Sequence, residues 1–340
     1  MGYDFRVKKI VFRADANPGI GTGDLVTLIY LSRYFLRKGW KVHFIVRSYP
    51  DSLRILKNFK IKDFFCIKPT ATLDEEVGLI NSFLQRNNIS AIFLEITERK
   101  LTAYQMLLPG CVKAAVAFTN KIPRIFDLVV AWDPQARQLF KYKKRNFPRT
   151  KFLLGERYAV VAPDFQASRI NRRKFASTPK KILITMGGID EYDITGRVVS
   201  CLAKNDFSGS LTIVLGSGYG YKRKLLETLS SSKLRYTIKE NLAQMFKEFI
   251  RSDVAVSAGG FTAFELLLSR TPSVLIAVAK HQIRRCLYFH RKRYAIYLGY
   301  RRFCDRALLD ALSHPPKSLP KFSLKTKDIE EYIDEYIKRH

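Results

Sequence analysis

Cysteine is scarce and unpatterned. Cys66, Cys111, Cys201, Cys286 and Cys304 are scattered, and no two stand as C-x-x-C. That excludes a zinc ribbon and a disulfide framework and leaves reduced, structural thiols. No run approaches the roughly 18 apolar residues of a membrane span, and no basic segment leading into an apolar one opens the chain. A cytoplasmic protein is expected. Low-complexity tracts and short-period repeats are absent. No Asp-x-Asp element stands in a supporting context, so neither a metal nor a cofactor is expected. Acidic residues are few, 30 Asp and Glu against 60 Lys and Arg, for a net charge of +30.

A field of that sign attracts polyanions, anionic membrane surfaces or phosphorylated substrates. The cations are clustered at Lys141–Arg145, Arg172–Lys174, Lys222–Lys224, Arg284–Arg285 with Arg291–Arg293, and Arg301–Arg302. Any one cluster reads as a solvated face; together they suggest an anionic partner. No RNA- or DNA-binding motif accompanies them, so nucleic acid is not expected as the partner.

At 340 residues the chain is too long for one typical core, and two domains are expected. Strand-like runs alternate with helical patterns, as right-handed βαβ units and parallel sheets require. In the first half the strands fall at 10–14, 42–46, 64–67, 91–96, 113–118 and 127–131. The helices fall near 25–38, 52–58, 74–87 and 99–107. In the second half the strands are 182–186, 211–215, 253–257 and 273–278, with helices near 194–204, 221–231, 241–251, 261–269 and 281–292. The polar, basic, turn-rich stretch between them is expected to be a linker. The expected organisation is therefore 1–162, a linker at 163–180, 181–325, and a C-terminal helix at 326–340. The fold class is α/β, with two Rossmann-like doubly wound domains facing a central cleft, the usual place for a ligand.

The first strand breaks into a turn carrying Gly19, Gly21 and Gly23, and a helix follows at once. Strand, glycine turn and helix N-terminus together present backbone N–H groups and a positive dipole end to a ligand. The turn is not a dinucleotide fingerprint. Spacing from Gly19 demands glycine at position 24, where Asp24 stands; spacing from Gly21 demands it at position 26, where Val26 stands. Arg47 rather than an acidic residue follows the second strand, and no lysine follows Gly23 to make a P-loop. Asp24 reads either as a catalytic base or as the N-cap of its helix.

The second half has three more glycine turns at strand ends: Gly187 and Gly188; Gly216, Ser217 and Gly218; and Gly259 and Gly260. In the last, close backbone approach at the glycines and the Thr262 hydroxyl at a helix N-terminus make a diphosphate cradle without a cation. Glu265, a turn further in, is placed to accept from ribose hydroxyls. The alternative at each position is a plain βα turn or an exposed helix carboxylate.

Four segments carry a resemblance: Arg13–Ala16 with Ile20–Gly23; Leu153–Ala159 with Pro163–Phe165; Met186–Asp190; and Ala258–Glu265 through Pro272 to Gln282. Together they resemble the PseG-like UDP-sugar hydrolases of pseudaminic-acid biosynthesis, which share the GT-B fold with MurG-type glycosyltransferases. The likeness spans roughly residues 8–295. It implies a UDP-sugar substrate with UDP on the C-terminal domain. Gly187, Gly188, Gly216, Ser217, Gly218, Gly259, Gly260 and Thr262 would lie at the nucleotide, Glu265 at the ribose and Ile238 near the uracil. Arg13, Asp15, Gly21, Thr22, Gly23 and Gln282 would line the substrate side.

The departures are as informative. The family turn reads G-T-G-H with a catalytic histidine, and here Asp24 replaces it. Asn-Gln becomes His281-Gln282. The fourth strand ends in Glu95 without the tyrosine two residues on, and Phe118-Thr119 stands where an acidic pair is expected. These changes gather at the sugar pocket, implying retained nucleotide binding with an altered sugar or reaction. The catalytic pair implied is Asp24 with His281. Transfer to water is the expected reaction. The alternatives are transfer to an acceptor at the inner membrane surface, where the positive charge would hold the protein peripherally, and a non-catalytic nucleotide-sugar or polyanion binding protein.

Overall fold

The computed structural model describes residues 7–17, 19, 21–95, 104–118, 120–166, 175–176, 178–240, 242, 244–316 and 318–339. The chain forms two compact units, Met1–Val160 with Leu324–His340, and Val161–Ser323.

Unit 1 runs β1 (Lys9–Arg13), α1 (Gly23–Arg37), β2 (Lys41–Arg47), α2 (Pro50–Asn58), β3 (Phe64–Ile67), α3 (Leu73–Arg86), β4 (Ala91–Glu95), β5 (Val112–Val116), β6 (Leu128–Ala131), the single turns α4 (Ala136–Leu139) and α5 (Lys143–Asn146), and β7 (Lys151–Leu154). Its strands lie parallel in the order β3-β2-β1-β4-β5-β6-β7. α1 forms where Leu25, Leu28, Ile29 and Phe35 share a buried face. It stops where Gly39 takes φ +81° and donates to the Leu36 carbonyl, a left-handed exit that glycine adopts without strain. α3 opens on a capping box between Thr72 and Glu75, satisfying two otherwise unpaired N–H groups. The helix Lys327–Arg339 returns to this unit. Ile329 and Ile333 are buried, Tyr336 donates to Asp127 at 2.9 Å, and Lys8 pairs with Asp334.

Unit 2 runs β8 (Lys181–Thr185), α6 (Ile194–Lys204), β9 (Ser210–Leu215), α7 (Lys222–Ser230), β10 (Arg235–Glu240), α8 (Phe246–Arg251), β11 (Val254–Ala258), α9 (Thr262–Leu268), β12 (Ser273–Ala277), α10 (Lys280–Arg291), β13 (Ile296–Tyr300) and α11 (Asp305–Ser313). Its parallel order is β10-β9-β8-β11-β12-β13. Both sheets therefore reverse direction of growth beside their first strand. In such sheets ligands bind at the carboxyl ends of the strands flanking the reversal. These are β1 and β4 in unit 1, and β8 and β11 in unit 2.

Three strands escaped the sequence pattern, β7, β10 and β13, and each is the last strand at a sheet edge. An edge strand has only one neighbour and tolerates charge. β10 reads RYTIKE and is largely exposed. α11 was also not anticipated. The helix expected near 99–107 is, where described, a 3-10 turn at Tyr104–Met106, residues 99–103 lying outside the described set. The helix expected over 241–251 begins at Phe246. Within the stretch read as a linker, Pro163–Gln166 is a 3-10 turn of unit 2. There Phe165 packs on Phe246 and Phe249 at 5.2 and 5.7 Å between ring centroids.

Candidate functional site

The β1 turn in unit 1 closes on itself. The Gly21 N–H donates to the Asn17 carbonyl at 2.7 Å, and Gly21 takes φ +85° with open space where a side chain would stand. Pro18 and Ile20 lie outside the described residues. Thr22 holds the N-cap position without a side-chain capping bond. Gly23 and Asp24 are the first two helical residues, so Asp24 is not the N-cap. The half-buried Asp24 carboxyl makes no hydrogen bond among the described residues. Burial, and then the charge of Asp15, push it up to about 6. A carboxylate near the helix N-terminus gains from the dipole, but here loss of water outweighs that gain.

Arg13 and Asp15, expected to line the substrate side, are both buried. The Arg13 guanidinium donates to both Asp15 oxygens, at 2.6 and 2.8 Å, and from Nε to Glu76 at 2.7 Å. Glu76, on α3, also accepts from Arg47 at 2.6 and 3.0 Å and from the Tyr104 hydroxyl. Asp15 in turn accepts from the Arg47 backbone N–H at 2.6 Å. Burial works against the Arg13 charge, but Tyr104, Asp15 and Glu76 together keep its pKa above the ordinary value. The network fastens the ends of β1 and β2 to α3 beneath the glycine turn.

Glu95 ends β4, beside β1. It is 1% exposed, and neither carboxyl oxygen has a hydrogen-bond partner among the described residues. Burial, and then Asp24, push its pKa well above the usual carboxylate range.

In unit 2 the first two glycine turns are packed against each other. The Gly218 N–H donates to the Gly188 carbonyl at 2.9 Å. A Cβ at Gly216 would lie 2.3 Å from the Gly187 carbonyl oxygen and 2.5 Å from that of Gly188. The contacting atoms are backbone and cannot swing aside. Gly216→Ala is therefore expected to lower unit 2 stability by about 1–3 kcal/mol, the usual cost of overpacking. Thermal unfolding measures it, and an unchanged Tm would refute the close approach. Ser217 is exposed at the tip of this turn.

The N-terminus of α6 is already occupied. Asp190 accepts from the N–H groups of Ile194 and Thr195 at 2.9 and 2.7 Å. Asp193 accepts from Gly196 at 3.1 Å and from the Tyr219 hydroxyl at 2.8 Å. With both carboxylates taking its N–H groups, α6 offers an incoming anion little. By contrast α9, which follows Gly259 and Gly260, has no side-chain cap. A Cβ at Gly259 would stand 2.2 Å from the Cys286 sulfur, so the absence of a side chain there lets α10 pack against the turn. Gln282, on α10, accepts from the Val278 N–H at 3.0 Å, and Arg285 donates to the Gly259 carbonyl at 3.3 Å. Gly260 is half-buried, with 3.9 Å from its would-be Cβ to the Gln282 amide nitrogen.

Thr262 opens α9, and Glu265 lies in its first turn. Burial pushes the Glu265 carboxyl up to about 7, and it makes no side-chain hydrogen bond among the described residues. His281 is exposed in the first turn of α10. Ile238 lies within edge strand β10, paired with Ile213 of β9.

Glu76, Arg47, Tyr104 and Arg285 were not anticipated as parts of these sites. Only Glu76 left a signal, an acidic residue adjoining the apolar face that buries Val77, Ile80 and Leu84.

No protein-family profile matches the chain. It is 26% identical over 234 residues to the uncharacterized protein MJ1062 of Methanocaldococcus jannaschii, a match covering 66% of this chain and 43% of that protein. It is 22% identical over 174 residues to the spore coat polysaccharide biosynthesis protein SpsG of Bacillus subtilis, covering 50% of this chain and 51% of that one. The aligned region is thus about half the length of each curated relative. Among solved structures, MurG of Acinetobacter baumannii aligns with TM-score 0.64 and 13% identity, over 98% of this chain and 100% of that one. The UDP-GlcNAc 2-epimerase of Neisseria meningitidis bound to UDP-GlcNAc aligns with TM-score 0.61 and 12% identity, over 98% and 94%. Both domains are Rossmann-like parallel sheets, and the fold is that of the MurG and 2-epimerase group, GT-B.

Proposed function

We propose that this protein is a UDP-sugar-dependent enzyme that cleaves the anomeric C–O bond and passes the sugar to water, in surface-glycan or nonulosonic-acid-type biosynthesis. The observation that carries the reading is Glu265. It is a carboxyl without a side-chain hydrogen bond among the described residues, in the first turn of α9, after a glycine pair at the sheet reversal of unit 2. A diphosphate on the backbone N–H groups at Gly260–Thr262 would place a ribose within reach of that carboxyl. The likeness to a 2-epimerase that holds UDP-GlcNAc and to MurG supports the nucleotide class. The PseG-like motifs support hydrolysis.

In this reading the Gly260–Thr262 backbone holds the nucleotide, and Asp24 is the base. Asp24 takes a proton from the attacking water as its oxygen bonds to the anomeric carbon. The bond to the UDP oxygen breaks, and its electron pair leaves with the β-phosphate, whose charge the N–H groups and the Thr262 hydroxyl stabilise. Arg13, Asp15, Glu76 and Arg47 hold the Asp24 turn in place rather than touch substrate. His281 is the second candidate group. The same base serves a sugar acceptor's hydroxyl, and the likeness to MurG favours that second reading.

Calorimetric titration of UDP, CDP and GDP tests the nucleotide site. UDP is expected to bind selectively. Glu265→Ala should weaken it roughly 10- to 150-fold, the worth of hydrogen bonds to a charged group. Equal affinity of the variant would remove Glu265 from the site. UDP release from a UDP-sugar without acceptor then separates hydrolysis from transfer.

A further inference from the structure

We infer that the outer side of α4 and α5 in unit 1, built on Leu139, Lys141, Tyr142, Lys143 and Arg145, is a docking surface for a membrane rich in anionic phospholipid. The inference does not rest on the UDP-sugar reading. Between Asn120 and Lys151 the chain carries nine Lys and Arg against two Asp. Both carboxylates are engaged from within unit 1. Asp127 accepts from the Lys113 N–H at 2.8 Å and from the Tyr336 hydroxyl at 2.9 Å, and Asp133 accepts from the Gln135 N–H at 2.9 Å. Arg124, Arg137, Lys141, Lys143, Arg145 and Arg149 make no ion pair among the described residues. The Lys222–Lys224 cluster of unit 2 differs, since Lys222 pairs with Glu240 at 2.6 Å and Lys224 with Asp193 at 2.9 Å. An ordinary solvated face intersperses charges of both signs; this one has cations alone.

The fold turns these groups outward. Ala136, Phe140 and Phe147 are buried in the core beneath, where Phe140 and Phe147 meet Phe152 at 5.6 and 6.4 Å between ring centroids. With those side chains pinned inward, Arg137, Leu139, Lys141, Tyr142 and Arg145 are left exposed, Tyr142 at 71%. Lys143 and Arg124 meet at one ring, their cationic heads 5.0 and 5.6 Å from the Phe147 centroid. Two positive charges distant in sequence are thereby held together, with N–H donors to offer phosphate oxygens. Each Lys or Arg near an anionic surface is worth roughly a 5-fold gain in partitioning. Tyrosine suits the boundary between headgroups and acyl chains, having an apolar ring and a hydroxyl, and leucine suits the acyl side. A nucleic acid would match the charge but has nothing for Leu139, which favours lipid. Among the described residues no helix is long and apolar enough to cross a membrane, so the contact is with one face of the bilayer.

Vesicle sedimentation of the full chain, without nucleotide, reads this surface directly. Phosphatidylcholine vesicles with about one third phosphatidylglycerol should bind the protein, pure phosphatidylcholine should not, and added salt should release it. Lys141→Gln, Lys143→Gln and Arg145→Gln combined should weaken binding roughly 100-fold. Leu139→Ser with Tyr142→Ser should weaken it roughly 10-fold at unchanged charge. Lys222→Gln, Arg223→Gln and Lys224→Gln combined remove the same charge from unit 2 and should cost less than about 5-fold. Equal losses from the two triple variants would mean that net charge alone attracts the membrane, and overturn the assignment. So would equal binding to neutral vesicles. If the first triple variant fails to fold, unchanged partitioning of the Leu139→Ser, Tyr142→Ser variant overturns it. Loss of single-stranded RNA binding in the first triple variant, with vesicle binding intact, would give the surface to nucleic acid instead. Should vesicles bind as expected while no UDP-sugar is consumed, the hydrolase reading falls and the surface stands. Turnover without vesicle binding gives the reverse result.

Discussion

Asp24→Asn is expected to lower kcat on the UDP-sugar by roughly 10²–10⁴-fold, the usual contribution of one positioned general base, with UDP affinity unchanged. The two effects separate because Asp24 belongs to unit 1 and the proposed nucleotide residues to unit 2. Asparagine keeps the shape of the side chain and makes no new demand on α1, since Asp24 is not the cap. The wild-type rate should rise with pH through about 6, as the burial-raised carboxyl gives up its proton. The sign follows from the role: only the carboxylate can accept. Single-turnover UDP release with parallel calorimetry decides the matter. Full turnover in the variant would move the base elsewhere, and His281 would be examined next.

Glu76→Gln is expected to destabilise unit 1 by about 3–5 kcal/mol, the cost of breaking a buried ion network from one side. Glu76 is fully buried and faces both Arg13 and Arg47. Neutralising it leaves two guanidiniums short of counter-charge, with Asp15 alone beside Arg13. The Tyr104 hydroxyl loses the acceptor it now has in the carboxylate. Urea unfolding followed on a unit 1 probe such as Trp132 gives the value. A loss under about 1 kcal/mol would mean that water or a rearranged Asp15 replaces the carboxylate. The same variant should slow turnover without touching UDP binding, because the network sets the turn that carries Asp24.

The glycine turns of unit 2 show how function and packing share a sequence signal. Gly187, Gly188, Gly216 and Gly218 look in sequence like so many phosphate contacts. In the fold Gly216 and Gly218 lie against the Gly187–Gly188 backbone and Ile189. Gly259 makes room for Cys286. Gly260, half-buried ahead of a helix without a side-chain cap, meets nothing nearer its would-be Cβ than the Gln282 amide nitrogen at 3.9 Å. Glycine tells a reader that something approaches closely; it does not say whether that is a ligand or the chain itself.

Local chemistry was legible in the chain. The alternation of β-branched runs with 3.6-residue patterns gave the parallel α/β class. The Arg37-Lys38-Gly39 stop and the span 194–204 of α6 follow from nearest-neighbour preferences that operate within a turn or two. Strand order, however, depends on pairings between residues tens of positions apart. It is this order that sets β1 beside β4 and so brings Glu95 under the influence of Asp24. The resemblance implies Arg13 on the substrate side, but in the fold its charge is spent first on Asp15, two residues on. Its other partner, Glu76, comes from α3, 63 residues on. The sequence by itself determined the interior strands, most of the amphipathic helices and where the glycine turns fall, because those choices are local, whereas the edge strands β7, β10 and β13 escaped it. Only the tertiary structure decided which polar groups are spent on one another and which, like Asp24, Glu95 and Glu265, are left without a hydrogen bond among the described residues, because burial and charge pairing are settled by what the fold brings alongside.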